Sequence, residues 1–272
     1  MRNFYQIYLI SDSTGETLDR IFLALKAQFN NFNYKINHFS FTRTENQILK
    51  ILENCKKEKK NIILYTIVDD KLSKFLNKET KKSNIPCFSV LGDLINNFSK
   101  LLNKSSLNLP SRQHMLDDQY YKKIDAIQFT MNHDDGNAII DAEKSDIILI
   151  GVSRTSKTPT AIYLANKGYK VSNIPIVNKN SIPENIKRNK LNKCIIGLTA
   201  DPKRLVEIRK NRMSSLKETG YQKYTNLQKI QEEVESSKNI FLKFRWPTID
   251  VSRKSVEETA ASVIKIYEIS RK

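Results

Sequence analysis

The sequence predicts an α/β fold built from two βαβ-type units with mainly parallel sheets. Short apolar runs recur along the 272 residues and alternate with longer segments of helical apolar spacing, which is the pattern of parallel strands connected by helices. The run at residues 61–68, NIILYTIV, is almost continuously apolar, as expected for a strand that is buried on both faces. A chain of this length is sufficient for two units that each bury a core.

The N-terminal part of the chain is predicted to alternate regularly between strands and helices. The strands fall at residues 4–10, 34–41, 61–68 and 86–91, and the helices at residues 18–29, 45–57, 71–82 and 91–102. The first strand leads into a hydroxyl-rich turn, SDSTGET, at residues 11–17. Ser13 or Thr14 is expected to cap the helix that follows. The alternative is an anion-binding turn for a phosphate or a phosphorylated side chain.

The middle of the chain interrupts this alternation. Residues 103–110 are rich in Asn, Ser and Pro and are the expected linker. We therefore predict an N-terminal α/β domain at residues 1–105, a connecting segment at 106–145 and a second α/β domain at 146–272. Inside the connecting segment, residues 115–124 are predicted to be helical. The sequence His133-Asp134-Asp135-Gly136 that follows either forms a tight turn on its glycine or offers a carboxylate base, and spacing leaves both open.

The C-terminal part is predicted to repeat the strand and helix alternation. Strands are expected at residues 147–150, 171–177, 193–198 and 239–244, with an extended segment at 246–251. Helices are expected at residues 159–167, 202–213 and 221–237, and a capping-box sequence at Ser255 opens a last helix. The helix at 202–213 carries Arg204, Arg209 and Arg212, which form a solvated face or reach a bound phosphate.

The loop at residues 151–158, GVSRTSKT, carries the clearest chemical signal. It matches the phosphate-binding pattern G-x-x-x-x-G-K-[ST] except at the second glycine, where Ser156 stands. An apolar strand precedes it and a helix with Pro159 in its first turn follows, so its backbone N–H groups would face an anion at a helix N-terminus. An ordinary βα turn with a surface lysine is the alternative. The predicted nucleotide-binding residues are Gly151, Val152, Ser153, Arg154, Thr155, Ser156, Lys157 and Thr158.

Composition restricts the classes of partner. The 46 Lys and Arg outnumber the 29 Asp and Glu and give a net charge of +17, which raises nucleic-acid binding as a rival function. The basic residues are spread along the chain without interleaved aromatics, so we expect a solvated face and no nucleic-acid partner. No apolar run reaches the roughly 20 residues of a membrane span and no N-terminal signal is evident, so a cytoplasmic protein without a membrane partner is expected.

Five stretches together resemble the pyruvate, phosphate dikinase regulatory protein family. They are ISDSTGET at residues 10–17, HDDG at 133–136, GVSRTSKTPT at 151–160, GLT at 197–199 and WPTIDVSRKSVEETA at 246–260. The resemblance covers nearly the whole chain in the right order. It implies a bifunctional serine/threonine kinase and phosphorylase. ADP would phosphorylate a threonine of the phosphohistidine form of the dikinase, which inactivates it and releases AMP. Inorganic phosphate would later remove that group as pyrophosphate.

Both transfers move a phosphoryl group, so catalysis requires positioning and charge neutralisation, and we assign roles to single residues on that basis. Lys157 would contact the transferred β-phosphate, Arg154 would neutralise transition-state charge or serve only at the surface, and Thr158 would ligate Mg²⁺ or bind a phosphate. Asp135, or Asp134, would accept the threonine proton. The turn at residues 11–17 would hold phosphate or the phosphohistidine loop.

The target and the reaction leave alternatives. A sister branch that acts on phosphoenolpyruvate synthase has Cys-Gly where this loop has Thr155-Ser156, so the resemblance favours the dikinase as the target. The alternatives are the same chemistry on the synthase, an ATP-dependent P-loop kinase of small molecules, and a nucleotide-sensing partner without chemistry. A homodimer is the expected oligomeric state.

Overall fold

A computed structural model describes residues 4–112, 117–135, 142, 144–177, 181–188, 193–216 and 224–271. The chain divides into two compact units, Met1–Met115 and Leu116–Lys272. Each unit is α/β with a four-stranded sheet whose pairings are all parallel, so the predicted fold class is confirmed. Within the described ranges, no helix combines the length and the apolar character that crossing a membrane requires.

The first unit is a sheet in the order β2-β1-β3-β4 with helices between the strands. The elements are β1 (Tyr5–Ser11), α1 (Glu16–Lys26), β2 (Tyr34–Phe39), α2 (Glu45–Lys56), β3 (Asn61–Thr66), α3 (Asp70–Lys82), β4 (Cys87–Ser89) and α4 (Gly92–Leu102). Alternate residues of β1 serve the two faces. Ile7 and Leu9 pack with α1, whereas Tyr8 and Ile10 pack with α2 and α3. The next strand in sequence, β2, lies on one side of β1, and the following strands β3 and β4 lie on the other. This reversal of the strand order opens a crevice at the carboxyl ends of β1 and β3.

The second unit repeats this strand order as β6-β5-β7-β8. Its elements are α5 (Asp118–Asn132), β5 (Ile147–Gly151), α6 (Lys157–Ala165), β6 (Val171–Pro175), α7 (Glu184–Arg188), β7 (Cys194–Thr199), α8 (Pro202–Leu216), α9 (Leu227–Lys243), β8 (Thr248–Asp250) and α10 (Val256–Ser270). Every residue of β5 is buried, as its unbroken apolar run predicts. The predicted capping box at Ser255 is present at the start of α10.

The predicted strand at residues 239–244 is wrong, because α9 continues through these residues to Lys243. Ile230, Val234, Ser237 and Phe241 are the buried residues of α9 and follow one another at helical spacing. A helical period over this length outweighs the short apolar run at its end. The helix predicted at residues 115–124 corresponds to α5, which runs from Asp118 to Asn132 and packs on α6 and β6.

The predicted cap of α1 by Ser13 or Thr14 is also wrong. The N-cap is Gly15, which has a left-handed backbone with φ of 90°, and among the described residues it receives no side-chain cap. The Ser13 hydroxyl instead accepts a hydrogen bond from Ser111, and its backbone N–H donates to Ser11 Oγ. Ser11 Oγ also accepts a hydrogen bond from Thr66 Oγ1 at 3.1 Å, so the Ser11 and Ser13 hydroxyls connect the turn to β3 and to Ser111 and do not cap α1.

Candidate functional site

The phosphate-binding pattern forms the loop between β5 and α6. A Cβ added at Gly151 would lie 2.5 Å from the Leu198 carbonyl oxygen and 2.9 Å from Thr155 Oγ1, so only glycine fits at the end of the strand. The buried Thr155 hydroxyl donates to the Val152 carbonyl at 2.9 Å. The start of the loop therefore packs closely against β7, and the Thr155 side chain closes the loop on itself.

Ser156 explains why the common pattern has a glycine at this position. Its backbone is left-handed with φ of 57°, and that of Arg154 is left-handed with φ of 71°. Such a conformation costs a non-glycine residue about 1 kcal/mol or more. Ser156 is the N-cap of α6, yet within the part of the chain that the structure describes it makes no side-chain cap bond. Pro159 has no N–H, so the helix presents the amides of Lys157 and Thr158 at its positive end.

Lys157 is a buried cation at the mouth of α6. Its side chain is 5% exposed and its Nζ donates to the Val152 carbonyl at 3.0 Å. Burial lowers the pKa of Lys157 to about 8, and the charges of Asp135 and Asp134 oppose this shift. A buried ammonium is costly unless it is paired, so this position favours an anionic ligand.

The structure brings Asp134 and Asp135, from the predicted acidic turn, to this loop. The Thr158 hydroxyl donates to Asp134 Oδ1 at 3.0 Å, and the Asn173 carboxamide Nδ2 donates to both of these oxygens. The backbone N–H of Asn173 also donates to the His133 carbonyl at 3.0 Å, which ties β6 to the end of α5. Asp135 is exposed in a left-handed conformation, and Gly136 lies outside the described residues.

The oxygen atoms near Thr158 are suited to Mg²⁺. Mg²⁺ in nucleotide enzymes is bound by one or two protein oxygens together with substrate phosphates. Thr158 and Asp134 offer a hydroxyl and a carboxylate, and the buried Asn173 Oδ1 has no hydrogen-bond partner among the residues that the structure describes. Over the same residues, no group of three or more His, Cys, Asp or Glu side chains could hold a metal by itself. The fit is therefore to an ion shared with a phosphate.

Arg209 supports the loop from within the protein, a role that the sequence did not specify. It is 1% exposed, while Arg204 and Arg212 on the same helix are exposed. Its guanidinium donates to the Ser153 carbonyl at 3.3 Å and forms an ion pair with Glu233 at 2.7 Å. The sequence contains an indication that Arg209 is buried, because it lies four residues after the buried Leu205 and shares its face of α8.

The predicted residues thus fall into two groups. The loop from Gly151 to Thr158 and the two aspartates after α5 lie together in the second unit. The turn at residues 11–17 belongs to the first unit, where Ser11, Asp12 and Ser13 line a cavity of about 130 Å³. Asp12 is buried there, its Oδ2 accepts the Val68 N–H at 2.7 Å, and burial raises its pKa.

Comparisons with known proteins give one family. A family model described as kinase/pyrophosphorylase matches residues 7–264. A protein of Pelagibacter ubique (strain HTCC1062) is 62% identical over 271 residues, which cover 100% of this chain and 99% of the relative. Proteins of Brucella anthropi and Paramagnetospirillum magneticum are 42% and 37% identical over 268 residues each, covering 97% and 98% of this chain and 95% and 85% of the relatives. All three relatives are named as pyruvate, phosphate dikinase regulatory protein.

Proposed function

Because the chain belongs to the kinase/pyrophosphorylase family, we propose that it regulates pyruvate, phosphate dikinase by two opposed phosphoryl transfers. The family that the motifs indicated is confirmed. In the inactivating direction, ADP phosphorylates a threonine of the dikinase whose catalytic histidine already carries phosphate. In the activating direction, inorganic phosphate removes the group from the phosphothreonine and leaves as pyrophosphate.

The buried Lys157 is the observation that carries this proposal. Its ammonium donates to the Val152 carbonyl of the loop, and α6 begins at Lys157 itself, where the first amides of the helix also attract anions. A β-phosphate of ADP placed there would meet the lysine and the helix dipole together. We therefore assign the loop from Gly151 to Thr158 as the ADP cradle.

In the inactivating step, the threonine oxygen forms a bond to the β-phosphorus of ADP. The bond from that phosphorus to the bridging oxygen breaks, and AMP departs with the electron pair. The threonine proton passes to a carboxylate, for which we propose Asp135, with Asp134 as the alternative. Lys157 and Arg154 stabilise the charge on the transferring group.

Thr158 and Asp134 would hold Mg²⁺ in this site. When bound, the ion supplies neutralisation of the phosphate charge. The role of these residues is then to orient the ion, and the role of Asn173 is to fix both of them through its carboxamide. Asp134 is engaged with Thr158, which leaves the exposed Asp135 the better-placed proton acceptor.

In the activating step, an oxygen of inorganic phosphate forms a bond to the phosphorus of the phosphothreonine. The bond from phosphorus to the threonine oxygen breaks, pyrophosphate forms, and the threonine oxygen regains a proton. The same cations favour this step, because it moves the same group between two anionic partners.

The test combines the protein, the phosphohistidine form of the dikinase and ADP, followed by mass spectrometry of the dikinase. We expect a gain of one phosphate on a threonine, and we expect Lys157→Ala to slow that gain on the order of 100-fold or more. Lys167 is an exposed lysine two residues after the end of α6, so Lys167→Ala is the matched control and should retain full activity. A folded Lys157→Ala variant with normal activity would falsify the assignment of the loop.

The same assay separates the rival functions. Phosphate gain on phosphoenolpyruvate synthase in place of the dikinase would identify the sister reaction. Transfer from ATP to a metabolite, with no change in either protein, would identify a small-molecule kinase. Tight ADP binding without any transfer would identify a nucleotide-sensing partner.

A further inference from the structure

Tyr224 contacts the phosphate loop from a distant part of the chain. Its hydroxyl lies 3.0 Å from Ser153 Oγ and accepts a hydrogen bond from Arg154 Nε at 3.3 Å. One phenol therefore touches two neighbouring residues in the middle of the loop. Neither contact belongs to the phosphate-binding pattern.

Arg209 fixes Tyr224 and the loop to the same support. Its guanidinium lies over the Tyr224 ring at 4.6 Å and donates to the Tyr224 carbonyl at 3.2 Å. It also donates to the Ser153 carbonyl, and Glu233 balances its charge. A fully buried, ion-paired guanidinium holds these groups in one geometry because its donors are rigidly arranged.

The loop needs such support at this point. Arg154 has a left-handed backbone, which a residue with a side chain retains only when its surroundings impose it. The contacts from Tyr224 and Arg209 fall on Ser153 and Arg154, where that conformation begins. They hold both the backbone and the guanidinium of Arg154.

We propose that Tyr224 and Arg209 are positioning residues that set Arg154 for phosphoryl transfer. This inference rests on the proposed function, because it concerns the same loop and the charge that Arg154 neutralises there. Tyr224 acts through Arg154. Its loss should therefore reduce the rate of transfer and leave ADP affinity nearly unchanged.

Tyr224→Phe is the sharpest test, because it removes the hydroxyl and keeps the ring that stacks on Arg209. We expect kcat to fall about tenfold, as for the loss of one hydrogen bond to a charged group, with KM for ADP within about twofold of the unchanged protein. Tyr121→Phe, on the exposed face of α5, is the matched control and should change neither value. A rise in KM at constant kcat would overturn the inference.

A double-mutant cycle tests whether Tyr224 acts through Arg154. If it does, adding Tyr224→Phe to Arg154→Met lowers kcat no further than Arg154→Met alone. Independent losses that multiply would overturn the inference, and so would a normal kcat for Tyr224→Phe. In both of those cases Lys157→Ala would still be inactive, and the proposed function would stand. Normal activity of Lys157→Ala would instead reject the loop as the site.

Discussion

The burial of Lys157 predicts that ADP binds more weakly as the pH rises above about 8. Burial lowers the pKa of Lys157 from the usual 10.5 to about 8, and only the protonated ammonium attracts a phosphate. The protonated fraction is then about 0.9 at pH 7 and about 0.1 at pH 9. The apparent Kd for ADP should therefore rise about tenfold between these pH values.

A loss of protein stability caused by the titration of Lys157 would not explain the weaker binding of ADP at high pH. The unfolded chain keeps the lysine proton up to about pH 10.5, whereas the folded chain releases it near pH 8. Between these values the unfolded state binds more protons, so the contribution of this group to stability rises with pH. Below about pH 8, where Lys157 is charged in both states, burying its ammonium lowers the free energy of unfolding by about 3 kcal/mol.

Isothermal titration calorimetry at about pH 7, 8 and 9, with Mg²⁺ held constant, measures the Kd for ADP and the number of protons taken up on binding. Wild-type protein at about pH 9 should take up close to 0.9 proton for each ADP bound, because the phosphate restores the charge of Lys157. The phosphate of ADP ionises near pH 6 and contributes little in this range. Lys157→Met should bind ADP weakly at every pH without this proton uptake. A wild-type Kd that stays constant from about pH 7 to pH 9 would refute the reasoning from burial.

Four further substitutions test the loop and its acidic neighbours. Gly151→Ala should lower stability by roughly 1–3 kcal/mol in thermal unfolding, because its Cβ would overlap the Leu198 carbonyl; an unchanged Tm contradicts this. Ser156→Gly should raise stability in urea by roughly 0.5–1 kcal/mol, since the left-handed strain is relieved, and a lower midpoint would show that the serine is not strained. Asp134→Asn should raise the Mg²⁺ concentration needed for transfer, whereas Asp135→Asn should lower the rate at saturating Mg²⁺; if Asp135→Asn leaves both transfers intact, that residue only forms the turn.

The strands and the loop were predictable because their signals are local. The apolar run of β5 and the pattern that follows it require only neighbouring residues, and the structure agrees on the strand. The strand prediction at residues 239–244 was wrong because this segment is as apolar as a typical strand. Only the buried positions of α9 before it, ending at Phe241, show that the helix continues.

The contacts around the loop were not predictable from local patterns, because they depend on tertiary structure, although the proposed mechanism already associated Asp134 and Asp135 with the loop. Asp134 and Thr158 are 24 positions apart, and Asn173, which bonds to both, looks in the sequence like any polar residue of a strand. Tyr224 reaches Arg154 across 70 positions. Arg209 gave a partial signal through its place on a buried helix face, but its partners on the loop gave none.

The repeated strand order shows that topology alone does not make the phosphate site. Both β1 and β5 are inner strands that lead to helices beginning at a left-handed residue, and within the described residues neither Gly15 nor Ser156 receives a side-chain cap. The buried charges at the two loops are opposite, with Lys157 in the second unit and Asp12 in the first. A phosphate at the first loop would meet the carboxylate of Asp12, which repels it unless the acid is protonated, and burial raises the pKa of Asp12 in that direction. We therefore expect phosphate to bind where the buried charge of this scaffold is a lysine, and to bind less readily at the turn at residues 11–17, where the buried charge is that of Asp12.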